Sequence, residues 1–73
     1  MKMGSNYQIT SFRQLPAMLK STLTAWGIFP GQTFSVEHIS ESIDIIQIRP
    51  HWGNTYGFRL SEILQLHVTE VNQ

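Results

Sequence analysis

The sequence predicts a mainly β domain: a small barrel of about five strands, one N-terminal α-helix and a short helical turn before the last strand. Three observations predict it. The chain has 73 residues and no cysteine. A chain that short buries only about 60% of its unfolded surface, and no disulfide or thiolate metal site can add to its core. Beyond residue 33, apolar residues recur mostly with the period of two that suits strands, whereas helical spacing is confined to one earlier stretch.

The elements follow in order. Tyr7 and Ile9 alternate with polar neighbours, so a short strand is expected over residues 7–10. Leu15, Met18, Leu19, Thr22, Leu23 and Trp26 then recur at three- and four-residue spacing, one face of a helix running from about residue 16 to 26. Trp26 on that face reads as core. Pro16 suits the first turn, where an N–H has no intrahelical partner. At the other end Gly27 can take a left-handed conformation and let Ile28 reach back to Leu23, a Schellman stop. Pro30-Gly31 fits the two central positions of a type II turn.

Phe34 and Val36 then alternate with Ser35 and Glu37 in the next strand. A strand over 43–49 follows the polar stretch Ser40-Glu41-Ser42. Its isoleucines change phase between Ile45 and Ile46, which implies either a bulge or a strand that starts near Asp44. Residues 50–54 form a turn by composition. Tyr56, Phe58 and Leu60 alternate in another strand, and Ser61 is placed to cap a helical turn through Glu62, Ile63 and Leu64. Leu66 and Val68 supply the last strand. Short strands, tight turns and one helical turn before the final strand describe an SH3-like barrel, with the helix across one opening. The whole chain reads as one domain, with residues 1–6 and 72–73 expected outside its ordered part.

Composition narrows the function. Charged residues are only 14% of the chain, and five Lys and Arg balance five Asp and Glu. That balance disfavours a nucleic-acid binder, which normally carries a basic excess. No apolar stretch approaches the roughly 18 residues of a membrane span. The first residues do not lead into a secretory h-region, so a cytoplasmic protein is expected. The charges are unevenly placed. Lys2, Arg13 and Lys20 precede residue 37 with no acid among them, whereas Glu37, Glu41, Asp44, Glu62 and Glu70 outnumber Arg49 and Arg59 after it. Such a polarity can orient a molecule on a charged partner.

The segment Ala25-Trp26-Gly27-Ile28-Phe29-Pro30-Gly31 resembles the FeoA-like family, the ferrous iron transport protein A group. That family has a helix ending in Leu-Gly, then Ile or Met, a variable residue and Pro-Gly. Residues 53–59 resemble its glycine, spacer and Leu-Arg element, and residues 66–68 its closing apolar-x-Val strand. The similarity runs from about Tyr7 to Val71. Trp26 and Phe58 stand where the family usually has Leu, and Gly57 where it has a small residue such as Ala. The family's Pro-Leu-Gly-Asp-Pro turn is reduced to Asp44 and its neighbours. The resemblance implies an SH3-like domain without catalytic activity, an accessory of bacterial ferrous iron uptake. Its implied partner is the membrane permease with a cytosolic GTPase domain, ferrous iron transport protein B. Neither a cofactor nor direct membrane insertion is implied. Weak self-association is compatible with it.

The residues themselves show no nucleophile elbow, Gly-rich phosphate loop or cysteine nucleophile, so no enzyme is expected. His38, His51 and His67 lack paired ligand spacing, although distant strands of a barrel could bring them to Glu37 or Glu70. Trp52, flanked by Pro50, His51, Gly53 and Asn54, is an aromatic in a turn, the type of residue that SH3-like folds present to partners. It could equally fold back over the barrel end. Arg13 and Lys20 lie on roughly one side of the helix and could meet an acidic surface. The expected partner-binding residues are Arg13, Lys20, His51 and Trp52. The alternatives are a general SH3-like peptide-binding module with another partner and, disfavoured by charge, a small-barrel RNA binder.

Overall fold

A computed structural model describes residues 1–12, 14–51 and 53–71. The order is β1 (Asn6–Ser11), α1 (Ala17–Ala25), β2 (Thr33–Ser40), β3 (Ile45–Pro50), β4 (Tyr56–Arg59), α2 (Leu60–Ile63) and β5 (His67–Val71). The strands form one antiparallel sheet in the order β4-β3-β2-β1-β5. This is the mainly β architecture that the sequence predicts, consistent with an SH3-like small barrel. The sheet does not close: β4 and β5 stand at opposite ends of its order, and α2 joins them in the chain. Among the described residues no helix is long and apolar enough to cross a membrane.

The curved sheet wraps one core. Tyr7, Ile9, Phe34, Val36, Ile46 and Ile48 enter it from the strands, Leu15, Leu23 and Ile28 from around α1, and Leu60, Ile63 and Leu66 from around α2. Tyr7 and Phe34 meet at a ring separation of 5.9 Å. Residues 1–6, expected outside the ordered domain, are tied to it, Asn6 as the first residue of β1 paired with Ser35. The Lys2 N–H donates to the Tyr7 hydroxyl at 2.8 Å and the Gly4 N–H to the Val36 carbonyl at 2.8 Å.

Helix α1 ends as its residues require. Gly27 has φ +81°, the Ile28 N–H bonds to the Leu23 carbonyl at 2.8 Å, and the Gly27 N–H bonds to the Thr24 carbonyl at 3.1 Å. Those are the two bonds of a Schellman motif, with Leu23 and Ile28 both buried. The Gln32 N–H then closes on the Phe29 carbonyl at 3.0 Å, with Gly31 at φ +95°. This is the pattern of a type II turn around Pro30-Gly31. Gly27→Ala should cost about 1 kcal/mol, because a Cβ there meets no atom within 4 Å and only the left-handed backbone is penalised. Gly57→Ala, at a residue without positive φ, should cost nothing measurable. Urea midpoints would separate the two.

The helix buries less of its predicted face than its spacing implies. Leu23 is buried and Leu19 half-buried, but Thr22 is exposed and Met18 is 85% exposed. A nine-residue helix lying on a small sheet has room for one narrow stripe of contact, and Met18 and Thr22 fall beyond its margin.

The β2–β3 hairpin decides between the two readings of the isoleucine phase change. The strand begins at Ile45, next to Asp44 and not at residue 43, leaving Ile43 65% exposed in the turn. A bulge that the sequence reading did not place lies in β2, where Val36 pairs with Ile48 and His38 with Gln47, so Glu37 is the extra residue. That insertion turns Ile39 to the core side opposite Ile46; an unbroken alternation would have turned His38 inward. Glu37, released from pairing, meets Arg49 at 2.7 Å.

Candidate functional site

The β2–β3 turn positions the second helix. Asp44 closes the turn with its N–H on the Glu41 carbonyl at 3.3 Å and has φ 54°. Short polar side chains such as Asp accept that left-handed conformation better than most residues. Its carbonyl takes the Leu60 N–H at 3.1 Å. Its carboxylate takes the Ser61 N–H at 2.9 Å on Oδ1 and the Ser61 hydroxyl at 2.8 Å on Oδ2. Helix α2 therefore starts at Leu60, which the alternation with Tyr56 and Phe58 had placed in a strand. Ser61 receives a cap from across the fold and provides none itself. Pinned in this way, α2 puts Leu60 and Ile63 into the core.

Trp26 is not core. It is 39% exposed at the end of α1, its ring stacked on Tyr56 at 4.4 Å and 9° and tilted against Phe58 at 5.6 Å. Tyr56 and Phe58 pair with Ile48 and Ile46, so they lie on the core side of β4, the last strand of the sheet. Among the described residues no strand lies beyond β4, so those rings have a flank that no strand covers, and Trp26 covers part of it. The other face of β4 contributes to a groove of about 490 Å³ lined by Ile45, Gln47, Gly57, Phe58, Arg59 and Glu62. Ring stack and groove thus flank one edge strand.

Of the four expected partner-binding residues, Arg13 and Trp52 lie outside the described residues. Lys20 is half-buried on α1 and has no ion pair among the described residues. His51 is exposed after β3, its N–H bonded to the Thr33 carbonyl at 3.1 Å. It lines a polar crevice of about 310 Å³ with Asn6, Ser35 and Arg49. His38 lies on β2 and His67 at the start of β5. No group of three metal-ligating side chains forms among the described residues.

Sequence reasoning missed the Trp26–Tyr56–Phe58 cluster as a surface feature and Asp44 as the cap of α2. The cluster's residues were each read as alternating or helical core positions. A signal for Asp44 was present, since an acid in a hairpin turn is a ready acceptor, but its target lies 17 residues further along the chain. No protein-family model matches this chain, and no curated protein is significantly similar to it in sequence.

Proposed function

We propose that this protein is a cytoplasmic SH3-like accessory module that binds another protein, its partner being the cytosolic GTPase domain of a ferrous iron permease. The choice of partner rests on the resemblance of residues 25–31 and 53–59 to the ferrous iron transport protein A group. The mode rests on one observation: Trp26, Tyr56 and Phe58 make a partly exposed ring stack beside an edge strand. Residues that carry most of the binding energy at protein–protein interfaces are enriched in Trp, Tyr and Arg. Lys20, cationic and without an ion pair among the described residues, adds attraction for an acidic partner surface.

The test is titration of the isotope-labelled chain with the purified permease domain, followed by amide shifts. Trp26→Ala should weaken binding about tenfold or more, as truncation of an anchor does. Lys20→Glu should slow association and reduce its salt dependence. Trp52→Ala completes the set. Unchanged affinity in all three folded variants would sink the proposal.

A further inference from the structure

Strand β4 is an open edge whose free backbone groups can be assigned. In an antiparallel ladder, opposed residues alternate between pairs that exchange hydrogen bonds and pairs that do not. The Leu60 N–H to Asp44 carbonyl bond lies one step beyond the Ile45–Arg59 pairing and sets the phase. Phe58 and Tyr56 therefore bond towards β3. The N–H and carbonyl of Gly57 and the N–H of Arg59 turn away from it, to the side where no strand lies among the described residues. Gly57 also leaves that backbone bare, and a Cβ there would meet nothing within 4 Å.

The side chains around this edge select a guest. Arg59 is exposed, lines the groove on one face of β4, and has no ion pair among the described residues. On the other face stand Phe58 and Tyr56, with Trp26 stacked on Tyr56 and tilted against Phe58. We propose that the β4 edge accepts an extended segment of a partner protein as a further antiparallel strand, an acidic side chain of the guest meeting Arg59. This rests on the reading of the protein as an interaction module, and it specifies the chemistry of what is bound.

The register defines the guest. Its residue opposite Gly57 exchanges both hydrogen bonds with that glycine and has open space for a bulky side chain. Two positions earlier an acid faces Arg59, and the residue between them turns to the aromatic rings. The guest thus reads acidic, apolar, bulky from N to C. A second copy of β4 contains no acid and would leave Arg59 unpaired. Glu62, in the same groove, opposes the guest's acid, so Glu62→Gln should tighten binding.

The experiment titrates the labelled full chain with a blocked octapeptide carrying Glu-Phe-Val at its centre. Saturable shifts should centre on the Gly57 and Arg59 amides. Gly57→Pro removes the outward N–H without touching a bond to β3, as proline at an edge allows, and should weaken binding about tenfold or more. Gly57→Ala should retain it. A lysine in place of the peptide's glutamate should weaken binding about two- to fivefold, the range of a cross-strand charge pair, and Arg59→Glu should reverse that preference. The charge swap carries the test should the proline variant fail to fold. The proposal is overturned by absence of saturable shifts at β4, by indifference to both charge changes, or by concentration-dependent shifts there without peptide, which would assign the edge to a second copy. Titration with the permease domain separates the two readings. Domain binding that Gly57→Pro leaves intact removes the edge site and keeps the module; peptide binding without domain binding keeps the edge and removes that partner.

Discussion

Leu23→Ala should destabilise the domain by about 3 kcal/mol, within the range for emptying a buried leucine site. In a chain of this length that lowers Tm by on the order of 15 °C. Leu23 is 0% exposed and sits where α1, the residues after it and the sheet meet in one cluster. Its carbonyl also receives the Ile28 N–H, so the lost side chain loosens the apolar half of the helix stop while leaving the hydrogen-bonded half in place. Met18→Ala in the same helix is the control. At 85% exposure it should change stability by less than about 0.5 kcal/mol. Thermal melts of both variants decide the matter, and similar losses would mean that the helix packs through a wider face than the structure shows.

Asp44→Ala should cost about 2 kcal/mol, the upper end of the range for losing a helix cap. It removes both acceptors that hold Ser61 and places a Cβ-bearing residue without a polar side chain at φ 54°. Two further substitutions separate these causes. Asp44→Gly removes the left-handed penalty but not the missing acceptors, so it should recover part of the loss. Asp44→Asn keeps an acceptor for the Ser61 N–H and tolerates the same backbone, so it should recover most of it. Urea midpoints give the ranking. If alanine and asparagine behaved alike, the bonds that Ser61 donates to Asp44 would contribute nothing. Amide exchange adds a local reading: Ile63 and Leu64 should lose protection first in Asp44→Ala, because α2 has no side-chain cap of its own.

The function depends less on these interior contacts than on what the fold leaves uncovered. Among the described residues the sheet stays open between β4 and β5 and so has two edges, and β4 is the one flanked by aromatic rings and by Arg59, which has no ion pair there. Arg59 stands apart from Lys20 in sequence, yet both are cations without a partner among the described residues, so an acidic partner surface would satisfy either.

What could be read in the sequence was whatever neighbours within a few residues decide. The period-two strands, the stop at Trp26-Gly27-Ile28 and the Pro30-Gly31 turn all follow from local backbone preferences and side-chain alternation; the stop and the turn lie where they were expected, and the strands do so except at the start of β3 and the end of β4. The tertiary structure decided the rest, because each remaining feature depends on residues far apart in the chain. The phase change among the isoleucines marked where β3 starts, but the bulge at Glu37 in β2 required the register of β2 against β3. Ser61 looked like a cap until the fold brought Asp44 to it. Trp26 had the spacing of a core residue, yet it ends beside β4 at the end of the sheet order, packed on Tyr56 and Phe58 and still 39% exposed. Burial is set by what lies on the far side of a residue, and one face of one element cannot specify that.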